Sequence, residues 1–282
     1  MRAPKDADII DVETHVRTFY DNFGWTENEG VKGEDLAFRI FRPAYYPYHD
    51  KVEARTVSQF QPFEGSILIV GCGDMPENHV DIARRFDRTT CIDISQRALD
   101  IAEKRLPDSA SMVLGSILDS GLEDDTYDAV FCAHVLYHID ASAQEAAMRE
   151  MIRVTKSGGK IVVIYSNPRS PLRYICSMAK RLNNLFAKVR GREKLHKAET
   201  GQDRPVLYFF AHPLGWWSRY AKGTEVAMKP WDVIGSFEER QIIRSDRLAR
   251  MFYRFSGWLE TRFPGAAVKL WQYPMIVLTK KP

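Results

Sequence analysis

Two glycines and a carboxylate, Gly71, Gly73 and Asp93, are spaced for ligand chemistry. The run Ser66-Ile67-Leu68-Ile69-Val70 is aliphatic and β-branched, and it ends on Gly71-Cys72-Gly73. Pro76 suits the first turn of a helix, where its missing N–H would be unpaired anyway. A helical pattern then runs to Phe86, and a second strand-like run, Thr89–Ile94, carries Asp93 near its end. In such a strand, glycine turn, helix, strand and acid series, the glycines let a ligand lie on bare backbone. The acid is placed to accept hydrogen bonds from a ribose diol. A pyrophosphate on the helix N-terminus calls for a third glycine. Here the turn continues as Asp74-Met75, and the Asp74 carboxylate would repel a pyrophosphate. A ribose ligand with a cationic or zwitterionic end is the better tenant.

Alternating strands and helices must position these groups. The spacing predicts a helix over 96–106 with Ser95 as N-cap, and a third strand over 111–114 leading to Gly115-Ser116-Ile117. A fourth strand over 127–132 continues into Ala133-His134 and on to His138. A helix over 142–155, the turn Ser157-Gly158-Gly159 and a fifth strand over 160–165 follow. This order implies a parallel sheet covered by helices on both faces. Ligands of such sheets bind beyond the carboxyl ends of the strands. That edge gathers Gly71, Asp93, Ser116 and the segment 133–138, which are distant in sequence.

Length and composition set the bounds. The 282 residues, 45% hydrophobic, can bury a sizeable core as one large domain or as a domain with an insertion. A net charge of +3 is too small to argue for nucleic acid. Cys72, Cys91, Cys132 and Cys176 lack metal-ligand spacing, so neither a metal nor a disulfide is expected, and a reducing compartment is. The N-terminus has no secretory h-region, and no apolar run approaches the roughly 20 residues of a membrane span. A cytoplasmic location is the expectation.

Residues 66–166 resemble the class I SAM-dependent methyltransferases, where SAM is S-adenosylmethionine, and the rest of the chain does so more loosely. Val70-Gly71-Cys72-Gly73 is similar to their glycine motif and Asp93 to their ribose-binding acid. Gly115-Ser116-Ile117 is similar to the adenine loop, Tyr127–Phe131 with Val135–Ile139 to the fourth-strand motif, and Arg153–Lys160 to the "R-V-L-K-P-G-G" turn. Two positions depart from the family pattern. Ser116 stands where many relatives carry an acid, and Asp74-Met75 where a further glycine is common. The resemblance implies a Rossmann-like, doubly wound α/β sheet, mostly parallel with an antiparallel last strand, carrying an N-terminal helical cap and a helical insertion. It implies SAM as cofactor and S-adenosylhomocysteine as product. Gly71, Cys72 and Gly73 would approach the methionine part and Asp93 the ribose. Ile94 and Ile117 would sandwich the adenine, Ser116 would bond its edge, and the Ala133 carbonyl would receive the ammonium. If the acceptor is a hydroxyl, a base must remove its proton. His138 is the first candidate, His134 the second, and Tyr20 or Tyr45 could assist. The alternative role of His138 is to bond backbone and shape the pocket.

The remaining segments divide as residues 1–60, an N-terminal helical and aromatic cap; 61–167, the SAM-binding core; 168–223, a basic helical insertion or lid; and 224–282, which completes the sheet. In the cap, a helix is predicted over 6–23. The aromatic, basic stretch 39–49 either packs onto the sheet or is a lid that turns Tyr20, Arg42, Tyr45 or His49 to the pocket. In the insertion, Leu172, Ile175, Ala179, Leu182, Phe186 and Val189 form a helical stripe. Around it stand Arg169, Arg173, Lys180, Arg181, Lys188, Arg190, Arg192, Lys194 and Lys197. Either the stripe packs and the charges are solvated, or residues 169–197 cover an anionic acceptor or touch anionic lipid. Strands are expected over 225–228 and 275–279. A helix over 248–262 carries the stripe Leu248, Phe252, Phe255 and Leu259. The leading reading is methyl transfer to a small molecule, most readily to a hydroxyl of a sugar, lipid-linked or natural-product acceptor. The alternatives are a nicotinamide-dependent oxidoreductase and a non-catalytic SAM-binding module. A nucleic-acid acceptor is disfavoured because no Asn/Asp-Pro-Pro-Tyr type motif follows the fourth strand.

Overall fold

A computed structural model of the chain describes residues 9–28, 31–32, 41–189 and 206–282. Helix α1 (Ile9–Phe19) continues into one wide turn, Tyr20–Gly24, and then a two-rung hairpin of β1 (Glu27–Asn28) and β2 (Val31–Lys32). Helix α2 (Tyr46–Ser58) leads into the central run: β3 (Ser66–Val70), α3 (Glu77–Ala83), β4 (Arg88–Asp93), α4 (Gln96–Glu103), β5 (Ser111–Leu114), β6 (Tyr127–Ala133), α5 (Gln144–Val154) and β7 (Thr155–Ile164). Ser95 caps α4 as expected, its hydroxyl accepting the Ala98 amide at 3.2 Å.

The strands form one seven-stranded sheet in the order β5-β4-β3-β6-β7-β9-β8. Strands β3 to β7 pair in parallel, whereas β9 (Tyr273–Lys280) is antiparallel to both its neighbours, β7 and β8 (Thr224–Asp232). Strand β3 is flanked by β4 and β6, so the chain order reverses there. Ligand crevices open beyond the carboxyl ends of strands at such a point. Both faces of the sheet are covered, which is why its central strands are unbroken apolar runs rather than alternating ones. Leu68, Val70, Val130 and Cys132 pack with Met148, Met151 and Trp217 on one side. Ile67, Ile69, Phe131 and Val162 pack with Val52, Val80, Tyr253 and Trp271 on the other. Strand β8 runs past the predicted 225–228 and includes Pro230. It can do so because it is the edge strand, and its register shifts between Pro230 and Asp232.

Two helices sit otherwise than their periodicity predicts. In α6 (Pro171–Val189) the core-facing residues are Cys176, with Leu172 and Ala179 half-buried, while Ile175 and Leu182 point outward. Its charges at 190–197, and the side chains from 183 on, lie outside the described residues. After α7 (Ser236–Ile242), helix α8 (Asp246–Arg262) buries Ala249, Tyr253, Ser256 and Glu260 and leaves Leu248 and Phe255 exposed. The cause is polar. Glu260 accepts from the Tyr48 hydroxyl at 2.6 Å, the Trp271 indole at 2.8 Å and Arg55 at 2.6 Å. This network turns the helix so that its charged partner faces inward. The short helix α9 (Pro264–Leu270) then leads into β9. Among the described residues no helix is long and apolar enough to cross a membrane.

Candidate functional site

The carboxyl ends of β3, β4, β5 and β6 open into a cavity of about 520 Å³, bounded on its far side by α1, α2 and the end of β8. Gly71, Cys72, Gly73, Asp93, Ile94, Ser116, Ile117 and Ala133 all line it. So do His134, His138 and Tyr20. In the cap, Tyr45 and His49 face the cavity, whereas Arg42 turns away to pair with Asp246 at 2.9 Å.

The turn after β3 needs its glycines. Gly71 has φ +64°, and a Cβ there would come within 2.3 Å of Val135 Cγ2. Gly73 has φ +55°, and a Cβ would meet the Trp25 ring at 3.0 Å. Trp25 in turn stacks on Tyr20 with centroids 5.1 Å apart. The cap thus reaches down onto the glycine turn and closes one side of the cavity. Asp93 ties the two strand ends together: its Oδ2 accepts the Gly73 amide at 3.1 Å and its Oδ1 the Ser95 amide at 2.9 Å. Burial raises its pKa, opposed by those two amides. Oδ2 also accepts the Cys72 thiol at 3.9 Å, while Oδ1 keeps a further lone pair, so Asp93 can still accept from a diol. Ser116 uses one lone pair on the Leu118 amide at 3.2 Å, and its O–H remains for an adenine edge. The aliphatic Ile94 and Ile117 supply apolar walls.

His138 is boxed in. Its Nδ1 lies 2.6 Å from the Tyr208 carbonyl, so Nδ1 carries a proton and donates it, leaving Nε2 as the acceptor. One edge of the ring reaches the cavity, but the surrounding protein desolvates it and pushes its pKa down to about 4. It is therefore neutral at ordinary pH. Tyr20 stands edge-on to it at 6.4 Å. His134 adopts φ +62°, hydrogen-bonds the Tyr137 hydroxyl at 2.7 Å, and sets its ring 4.8 Å from Trp231.

On the far wall, sequence reasoning named Tyr45 and His49 but missed Glu53, Trp231, Asp232 and Tyr273. The Tyr45 hydroxyl donates to Asp232 Oδ2 at 2.6 Å and also meets His49 Nδ1 at 2.8 Å, while His49 Nε2 faces Glu53 at 2.9 Å. Tyr45 has one proton, and Asp232 takes it. His49 Nδ1 then donates to the Tyr45 oxygen, and the ring sits between two acids, Asp232 and Glu53. Although burial alone would lower it, Glu53 and Asp232 raise its pKa. Desolvation pushes Asp232 up to about 6 despite His49 and Tyr45. Its Oδ1 is buried without a hydrogen-bond partner. The signal for this wall was thin: an acid at the end of an edge strand, and His49 and Glu53 one helical turn apart. The described lining contains carboxylates, Asp74 among them, and no lysine or arginine. Among the described residues no cluster of three or more His, Cys, Asp or Glu is placed to hold a metal ion, and all four cysteines are buried free thiols.

These groups fit SAM. The cradle a Cβ would fill, the diol acceptor and the apolar slot match its amino-acid, ribose and adenine parts, and an acidic lining suits its sulfonium. Comparisons with known proteins agree. Residues 68–163 match the model of a methyltransferase domain. The chain is 28% identical over 116 residues to an uncharacterized methyltransferase-like protein of Schizosaccharomyces pombe, covering 41% of this chain and 44% of that protein. It is 30% identical over 105 residues to the ajmaline N-methyltransferase of Rauvolfia serpentina, covering 35% of each. The chain thus spans about half the length, or less, of these relatives. Among solved structures, the magnesium protoporphyrin IX methyltransferase of Synechocystis PCC 6803 with bound S-adenosylhomocysteine superposes with a TM-score of 0.55. It is 12% identical and covers 96% of this chain and 100% of that one, a likeness of fold.

Proposed function

We propose, from the match of residues 68–163 to a methyltransferase domain and from the cavity that fits SAM, that this chain is a class I SAM-dependent methyltransferase that transfers the methyl group of SAM to a heteroatom of a small-molecule acceptor. The observation that carries the reading is one cavity joining two walls. The donor wall is Gly71, Gly73 and Asp93; the acceptor wall is Trp231, Asp232, His49 and Tyr273. SAM supplies a methyl group already activated by its sulfonium, so the protein's work is mainly to hold and orient.

The acceptor in this reading is a hydroxyl. Its proton must leave at or before transfer. His138 offers Nε2 to the acceptor hydroxyl. With a pKa near 4 it orients that hydroxyl better than it retains the proton. His134 and Tyr20 border the same space. The rings of Trp231, Tyr46 and Tyr273 provide flat apolar walls on which a sugar or an aromatic natural product can stack. A phosphate-bearing acceptor is not supported inside the cavity. Arg173 stacks on Phe209 at 5.3 Å without joining the lining.

A second reading, an amine acceptor, is favoured by Glu53, Asp74 and Asp232 in a lining without lysine or arginine. The similarity to an N-methyltransferase over 105 residues points the same way. The test is S-adenosylhomocysteine release from purified protein and SAM across paired hydroxyl and amine acceptors on the same aromatic or sugar scaffolds. Turnover with hydroxyls supports the first reading and turnover with amines alone the second. Failure to bind SAM would sink both.

A further inference from the structure

We propose that α8 is a docking face for an anionic lipid surface. The solvent side of this helix carries Leu248, Met251, Phe255 and Trp258, which are 50, 60, 57 and 54% exposed. Their spacing of three and four residues makes one continuous stripe. Phe263, just past the helix end, extends it. The rings of Phe255 and Trp258 lie 5.6 Å apart, and those of Trp258 and Phe263 5.8 Å. An apolar patch of this kind on an exposed helix face marks an interaction site.

The charges beside the stripe decide the occupant. Arg247, Arg250, Arg254 and Arg262 are all exposed. The helix contains two acids, and neither balances them on that face. Asp246 pairs with Arg42, and Glu260 is buried in the Tyr48–Arg55–Trp271 network. Helix α6 repeats the pattern: Tyr174, Ile175 and Met178 are exposed beside Lys180 and Arg181, and its sequence holds no acid. Cys176 of α6 and Ala249 and Tyr253 of α8 belong to the same core layer, so both outward faces lie on one side of the sheet. Lys180 stacks on the exposed Phe237 of α7 at 4.9 Å.

A second copy of the chain would set arginine against arginine across a twofold axis, and like charges there repel. An anionic membrane complements both parts of the face. Helices with an apolar stripe, aromatic residues and a cationic border lie flat in the lipid interface, and anionic headgroups attract each nearby lysine or arginine. Seventeen residues give about 25 Å of such a helix.

No residue of α8 lines the cavity, so this face can be altered apart from SAM binding. The test is co-sedimentation of the full chain with vesicles of phosphatidylcholine alone or with 30 mol% phosphatidylglycerol. The expected result is binding to the anionic vesicles only, weakened by salt. Phe255→Glu/Trp258→Glu and Arg250→Glu/Arg254→Glu should each reduce it at least tenfold while SAM affinity stays at the parent value. Equal binding by parent and variants would overturn the proposal. So would no binding to anionic vesicles, or a dimer in light scattering that the Phe255→Glu/Trp258→Glu variant abolishes. Loss of SAM binding with vesicle binding intact would instead count against the methyltransferase reading.

Discussion

Replacing Gly71 by alanine probes the turn on which the donor wall depends. The new Cβ would stand 2.3 Å from Val135 Cγ2 and 3.0 Å from Cγ1, far inside contact distance. Holding an L-residue at φ +64° costs about 1–2 kcal/mol, and forcing a methyl into a packed site costs about 1–3 kcal/mol. Gly71→Ala should therefore lose about 2–5 kcal/mol. The two contributions can be separated. In a Val135→Ala background the contacts with the two γ carbons are gone, while the Cβ contact at 3.2 Å and the φ cost remain, so the same substitution should cost less, about 1–2 kcal/mol. Urea denaturation of the four proteins of this cycle measures both. If Gly71→Ala is as stable as the parent, or costs the same in both backgrounds, the geometry derived for this turn is wrong.

Two further perturbations follow from buried polar groups. Glu260→Ala strands the Tyr48 hydroxyl, the Trp271 indole and Arg55, so it should cost about 3–5 kcal/mol in denaturation; Glu260→Gln, which still accepts, should cost less. Asp232 has a folded pKa of about 6 against an ordinary 3.8. The folded state therefore holds its proton more tightly, and stability falls as pH rises across that window, by up to about 3 kcal/mol. The raised pKa of His49 adds a loss in the same direction, its contribution being full below 6.5 and gone above its folded value. The stability of Asp232→Asn relative to the parent should thus climb between pH 4 and pH 7, and a flat difference would contradict the burial of this carboxylate.

How much of this was legible in the sequence depends on how local the cause is. Strands β3 and β6 are covered on both faces, so the apolar runs 67–70 and 129–132 announce them, and Gly71, Asp93 and Ser95 follow from turn and cap chemistry within thirty residues. Helix α8 was legible as a helix but not in its facing. Hydrophobic period selects Leu248 and Phe255, whereas partners more than two hundred residues away, Tyr48 and Arg55, draw Glu260 inward. On the far wall of the cavity Tyr45 and His49 were legible as candidates, but their pairing with Asp232 was hidden for the same reason. Tyr45 and Asp232 are 187 residues apart and meet only because α2 packs against the end of an edge strand. The wide turn at Tyr20–Gly24, which puts Tyr20 beside His138, likewise has no signature in a three-and-four period.

The central claim is that Gly71, Gly73 and Asp93 form a SAM site. Calorimetric titration of the parent and of Asp93→Ala with SAM, S-adenosylhomocysteine and NADH addresses it directly. Hydrogen bonds to a charged group contribute about 1.5–3 kcal/mol each. The parent should bind SAM and S-adenosylhomocysteine, and Asp93→Ala should bind both at least about tenfold more weakly. Binding of NADH instead, binding of none of the three, or unchanged SAM affinity in Asp93→Ala would contradict the account.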